Sequence, residues 1–124
     1  MKNPKFEKWA IPFIKKVAKV VLVEHFYPVK IEWQKEIRGN AIAAFNFTHP
    51  YQWLIIQYTD RLVEEWKKSN DYAKNVLTHE VCHALTDPLY NAGWQRFTGK
   101  DQLEDEREKL TDHIANIVLK NNLV

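Results

Sequence analysis

An α+β domain is what this chain predicts, and three observations carry the prediction. Apolar residues return every three or four positions in stretches near the start, middle and end of the chain, the spacing of helices buried on one side. Between the first two of these stretches lie three short segments rich in Val, Ile, Trp, Phe and Tyr, the composition of strands. Length is the third: 124 residues, 45% hydrophobic and 13% aromatic, suffice for one core. Without repeats, linkers or low-complexity tracts, residues 1–124 are expected to form a single domain.

The first helix is expected to start at or near Pro12 or to be kinked there, because a proline disfavours helical backbone at the residue before it and is well placed in a first turn. From Phe13 onward, Val17, Val20 and Val21 line an apolar side with Lys15, Lys16 and Lys19 on other faces, and His25-Phe26-Tyr27-Pro28 ends the helix. The lysine side is expected to be solvated, and His25 to be structural. Val29 to Ile37 nearly alternates apolar and polar residues and closes on Arg38-Gly39-Asn40, a turn signal. Ala41 to Phe47 is expected to pair back on it as a hairpin, broken at Thr48-His49-Pro50-Tyr51, where His49 should be exposed. Trp53 to Tyr58, almost continuously apolar, is a third strand, so the expectation is a small antiparallel sheet of about three strands with helices on at least one face. A short helix follows from Asp60 to Trp66 with Thr59 as its cap. The next runs from about Asp71 to Leu85 and stops before Pro88; Leu89 to Lys100 reads as a loop. Gln102 to Leu119 is the last helix, with Leu103, Leu110, Ile114, Ile117 and Val118 on its apolar side.

Composition excludes several functional classes. Eighteen basic against 16 acidic residues give a net charge of +2, too balanced to imply a nucleic-acid partner. The longest apolar run, Val17 to Val23, is interrupted by Lys19 and lacks a small-residue cleavage site, so neither a membrane span nor a secretion signal is expected. A single cysteine, Cys82, excludes an internal disulfide and fits a cytoplasmic protein. Five tryptophans are most simply core and rim.

The chemistry is concentrated in Thr78-His79-Glu80-Val81-Cys82-His83. Residues four apart share a helix face, so His79 and His83 point at one ion while Glu80, one step round, overlooks it. This is the zinc-hydrolase pattern: two neutral imidazoles hold Zn²⁺ at about 2.0–2.1 Å, one position stays open for water, and a carboxylate takes that water's proton. A catalytic zinc needs a third protein ligand. Cys82 lies a step off the histidine face and reads as a small buried hydrophobe. On the last helix, Glu104 and Glu108 share a face with the small Thr111 and Ala115, where two helices can approach, whereas Glu106 points nearly opposite. Glu108 is the expected third ligand, with Glu104 the other candidate, and Asp112 is placed to accept a hydrogen bond from a ligand imidazole.

His79-Glu80-Val81-Cys82-His83 followed by Glu108-Lys109-Leu110-Thr111-Asp112 resembles the gluzincins, thermolysin-like zinc peptidases whose second motif is Glu-x-x-Ser/Ala-Asp/Asn. In its small size and its preceding hairpin the chain is similar to minimal zincin-like proteins, often phage- or prophage-encoded. The resemblance implies a zincin-like fold with His79, His83 and Glu108 as zinc ligands, Glu80 as general base and Asp112 supporting a ligand. It also implies that the strand before the metal helix holds an extended peptide or protein substrate by β-addition. Thr111 departs from the usual Ser or Ala, no downstream histidine of the gluzincin kind is evident, and the substrate-binding lobe of larger members is missing. Tyr90 and His113 are the candidates for stabilising the oxyanion. The expected function is zinc-dependent hydrolysis of peptide bonds; the alternative, from another class, is a catalytically silent protein-binding module stabilised by zinc. Membrane and nucleic-acid partners are not expected.

Overall fold

The computed structural model describes residues 1–24, 26, 28–48, 53–94 and 100–124, with 47–48, 88–94 and 100 described by their backbone alone. Four helices and a three-stranded mixed sheet make a small α+β fold among these residues. His25 and His49 lie outside them.

Helix α1 spans Pro4–Val20 and so begins eight residues before Pro12. Asn3 explains the earlier start: its side-chain oxygen accepts from Phe6 N at 3.0 Å, and Pro4 occupies the first turn, where a missing N–H loses nothing. Pro12 sits inside the helix on its exposed side, and the burial of Phe6, Ala10, Phe13, Ile14 and Val17 on the other side outweighs the one hydrogen bond it removes. Strand β1 is Val29–Trp33, β2 is Ala43–Thr48 and β3 is Trp53–Tyr58.

The strand order β1-β3-β2 corrects the expected hairpin and the expected antiparallel sheet. β1 pairs with β3 in parallel, Val29 opposite Leu54 through Trp33 opposite Tyr58; β2 pairs with β3 antiparallel, Ala43 opposite Tyr58 through Thr48 opposite Trp53. The reason lies in burial. Leu54, Ile56 and Tyr58 are 0% exposed on the core face and Ile55 is buried on the other, so the most apolar strand takes the centre. The two strands of alternating character become edges. The segment between β1 and β2 must then step across β3, and it does so through a turn at Arg38–Asn40 in which Gly39 adopts φ 73° and Asn40 φ 58°.

Helix α2, Asp60–Lys68, follows Thr59, whose hydroxyl donates to Ile42 O at 2.9 Å and makes no capping bond. Helix α3, Asn70–Trp94, continues past Pro88 and replaces the start of the expected loop. Helix α4, Lys100–Lys120, packs along α3 through Thr111, Ala115 and Val118, all buried. Its buried face is turned away from Leu110 and Ile117, which are 43% and 47% exposed, because the small residues rather than the large ones permit close approach to α3. α1 closes the core against α3 and β1; Phe6 meets Tyr58 at 4.9 Å and Trp66 at 5.4 Å between ring centroids. The Tyr58 hydroxyl donates to Glu7 and accepts from Asn3 N, tying α1 to the central strand. Among the described residues no helix is long and apolar enough to cross a membrane.

Candidate metal centre

The histidine pair of α3 faces α4 across a cleft floored by β2. His79 and His83, one turn apart, bring their Nε2 atoms to 3.1 Å of each other. Potential ligand atoms of His79, Glu80 and His83 all lie within 4.8 Å of one another. From α4, Glu108 reaches both imidazoles, Oε2 at 3.2 Å from His79 Nε2 and Oε1 at 3.5 Å from His83 Nε2. Glu106, by contrast, pairs with Lys109 at 3.5 Å on the outer surface.

Each imidazole is oriented through its other nitrogen. His79 Nδ1 lies 2.7 Å from Asp112 Oδ1, and His83 Nδ1 lies 2.8 Å from Asp87 Oδ1. A carboxylate only accepts, so each Nδ1 donates to its aspartate and each ring turns its Nε2 toward the same point. Arg107 braces the arrangement from α4, with Nη1 3.8 Å from Asp87 Oδ1 and Nη2 3.5 Å from Glu108 Oε1.

Glu80 stands beside this group. It is 9% exposed, and Oε1 accepts from the backbone N–H of Phe45 at 3.2 Å. Burial pushes its carboxyl up to about 6, against the opposing pull of His83 and His79. Without a metal, the hydrogen bond that His79 Nε2 donates to Glu108 raises His79 to about 9, with Glu80 and Asp112 adding to it, and the same contact holds Glu108 below the usual carboxylate range. Cys82 is fully buried, and burial pushes its thiol up to about 12, so it packs as an apolar side chain at neutral pH.

The Phe45 bond also fixes which side of β2 faces the cleft. Ile42 O accepts from Thr59 N toward β3, so along the antiparallel ladder the alternate residues Ala43 and Phe45 turn their backbone groups outward. β3 has a neighbour on both sides; the free strand edge at the site therefore belongs to β2, not to the strand nearest the metal helix in sequence. Between these walls lies a cavity of about 380 Å³, lined by the four site residues together with Arg38, Ala41, Ala43, Ala44, Phe45, Asp87 and Arg107.

His79, Glu80, His83, Glu108 and Asp112 are thus assembled in one place. His113 is not: it is exposed and lines a separate depression with Asn116, Ile117 and Lys120. Position 90 lies within α3, and the Tyr90 side chain is outside the described residues. Sequence reasoning missed Asp87, although its place four residues after His83 puts it on the same helix face. It also missed Arg107, Arg38 and the Phe45 N–H, whose roles depend on how α4, the turn and β2 come together and leave no local signal. Compared with protein-family models, curated proteins and solved structures, the chain matches none of them. What stands on geometry is a His79–Glu80–His83 group that could hold a metal ion.

Proposed function

We propose that the chain is a zincin-like, zinc-dependent peptidase in which His79, His83 and Glu108 hold the ion and Glu80 is the general base. One observation carries the reading: two oriented Nε2 atoms and a carboxylate converge, while Glu80 remains beside them at a free strand edge. The separations of 3.1, 3.2 and 3.5 Å suit zinc. Ligands at about 2.0–2.1 Å in a tetrahedron lie about 3.3–3.4 Å apart, and the nitrogen and carboxylate donors are those zinc takes. Bound there, zinc would supply a Lewis acid and a water of lowered pKa.

The remaining work falls to the chain itself. An extended peptide laid along β2 meets the outward N–H and carbonyl of Ala43 and the carbonyl of Phe45, which hold the scissile bond beside the ion. Glu80 keeps one oxygen on the Phe45 N–H and has the other to take a proton from the attacking water and pass it to the leaving amine. Its burial suits that task, since a carboxyl with a raised pKa gives the proton up and takes it back near neutrality. Asp87 and Asp112 keep the imidazoles in register throughout.

The test is Glu80→Gln assayed on a peptide library alongside zinc content and melting temperature. Zinc and melting should stay near wild type while hydrolysis falls about 10²–10⁴-fold. Equal cleavage by both proteins overturns the general-base role. Zinc-dependent melting with no cleavage by wild type, and binding of the same partner protein by both, would make the chain the silent binding module instead.

A further inference from the structure

Two arginines line the cleft, and among the described residues one of them is engaged in ion pairs. Arg107 spends its guanidinium on Asp87 and Glu108. The other titratable side chains that line the cavity are likewise partnered: His79 with Glu108 and Asp112, His83 with Asp87, Glu80 with Phe45 N. Arg38 lines the same cavity, is exposed to solvent, and has no ion pair among the described residues.

Its position is fixed by the backbone beneath it. The turn at residues 38–40 is closed by Asn40 N donating to Ile37 O at 3.0 Å, and Arg61 Nη2, from α2, donates to Asn40 O. Between this turn and the metal group the cavity wall is Ala41, Ala43 and Ala44, side chains too short to reach or screen the guanidinium. A ligand lying on β2 therefore shares one cavity with the histidines and with a cation that has no ion pair among the described residues.

We propose that Arg38 is a specificity-determining residue that holds a carboxylate of the substrate, so that the substrate class is a peptide bearing a carboxylate on the turn side of the scissile bond. The proposal rests on the peptidase reading of the site. A guanidinium pairs with a carboxylate through two parallel hydrogen bonds, which sets distance as well as charge. That carboxylate comes either from an Asp or Glu side chain or from the peptide's own C-terminus, and the two differ in reach along the strand.

Peptide hydroxamates test this without needing turnover, because the hydroxamate anchors on the metal. Three probes are compared by calorimetry on the zinc-loaded protein: one ending in amidated Glu, one in amidated Gln, and one with an unblocked C-terminal carboxylate. Wild type should bind a carboxylate probe about three- to tenfold more tightly than the Gln probe, with the ratio shrinking as salt rises. The stronger of the Glu and free-carboxylate probes identifies the source. In Arg38→Gln the ratio should fall to about one, and in Arg38→Glu it should invert. Since each ratio is taken within one protein, a general loss of affinity does not imitate the effect. An unchanged ratio in Arg38→Gln, with all three hydroxamates still bound, overturns the carboxylate pocket and leaves the metal site standing. Failure of every hydroxamate to bind zinc-loaded wild type overturns the peptidase reading and this proposal with it.

Discussion

The support under His83 comes from its own helix: Asp87, one turn on, accepts a hydrogen bond from Nδ1 at 2.8 Å, and the two side chains are 9% and 13% exposed. His79 leans instead on Asp112 from α4, at 2.7 Å, and that carboxylate is 67% exposed. The distances are almost equal, so distance does not rank the two supports. Burial does. Water can replace an exposed acceptor and salt screens it, whereas a buried imidazole N–H that loses its partner has nothing to turn to. The site thus has a rigid half built within α3 and a looser half that exists only when α4 is docked. Arg107 strengthens the difference, because it reaches Asp87.

Glu108 joins the halves, and its loss should have the largest effect. Glu108→Ala should leave the purified protein without its expected zinc, while Glu106→Ala, on the outer surface with Lys109, should keep about one ion per chain by elemental analysis. Chelation should likewise lower the melting temperature of wild type and leave that of Glu108→Ala unmoved. Zinc retained by Glu108→Ala would mean that the two imidazoles and some other donor suffice.

The supports themselves come next. Removing a hydrogen-bond partner of a ligand typically weakens metal binding about 10–100-fold. Asp87→Ala should lie at the upper end, about 100-fold, and Asp112→Ala at the lower, about tenfold, when zinc affinity is measured against a competing chelator. Equal losses would show that exposure does not decide what an orienting carboxylate contributes.

Protons compete with metal in the looser half. In the metal-free protein His79 titrates near 9, above its ordinary 6.5, chiefly because it bonds to Glu108. Its pairing therefore contributes stability that is fully present below pH 6.5 and is lost as pH rises through about 9. Zinc needs the bare nitrogen, so the two dependences oppose one another. Metal-free melting should fall between pH 6.5 and 9, while zinc affinity rises about tenfold per pH unit over the same range. Asp112→Ala should change this profile little, since Glu108 is the larger cause; a profile that collapses in that variant would transfer the effect to Asp112.

How legible all this was in the sequence follows the same division. His79, Glu80 and His83 are set by spacing on one helix, and the face shared by Glu108, Thr111 and Ala115 pointed to the carboxylate that now meets them. Asp87 obeys that spacing too and could have been found by asking what lies four residues beyond each ligand. The strand order was hidden, because alternation marks an edge strand without naming its neighbour; β1 and β2 both fit beside β3, and only the competition for the buried centre separates a hairpin from the observed sheet. The start of α1 was missed for a local reason: Asn3-Pro4 is a cap and first turn in its own right, and Pro12 drew the boundary away from it. For Arg38 and the Phe45 N–H there was nothing local to see, since both matter only through what the fold sets opposite them.

The smallest effect concerns the seam between the halves. Thr111 Oγ1 donates to Arg107 O at 2.8 Å, so the hydrogen in its 2.8 Å contact with Thr86 Oγ1 comes from Thr86. Thr111→Val removes that acceptor and leaves the Thr86 hydroxyl, among the described residues, with Cys82 O at 3.5 Å, a poor bond in a buried seam. Stability measured by denaturant unfolding should fall by about 1 kcal/mol, and less for Thr86→Val, which leaves Thr111 still donating to its own helix. The double variant should recover part of the loss, because no hydroxyl is then left facing an apolar partner. Zinc affinity should change no more than about threefold in any of the three, since the ligands and their carboxylates are untouched. A much larger loss of zinc in Thr111→Val would mean that the hydrogen bond across the seam, more than Glu108 itself, holds α4 at the distance the metal requires.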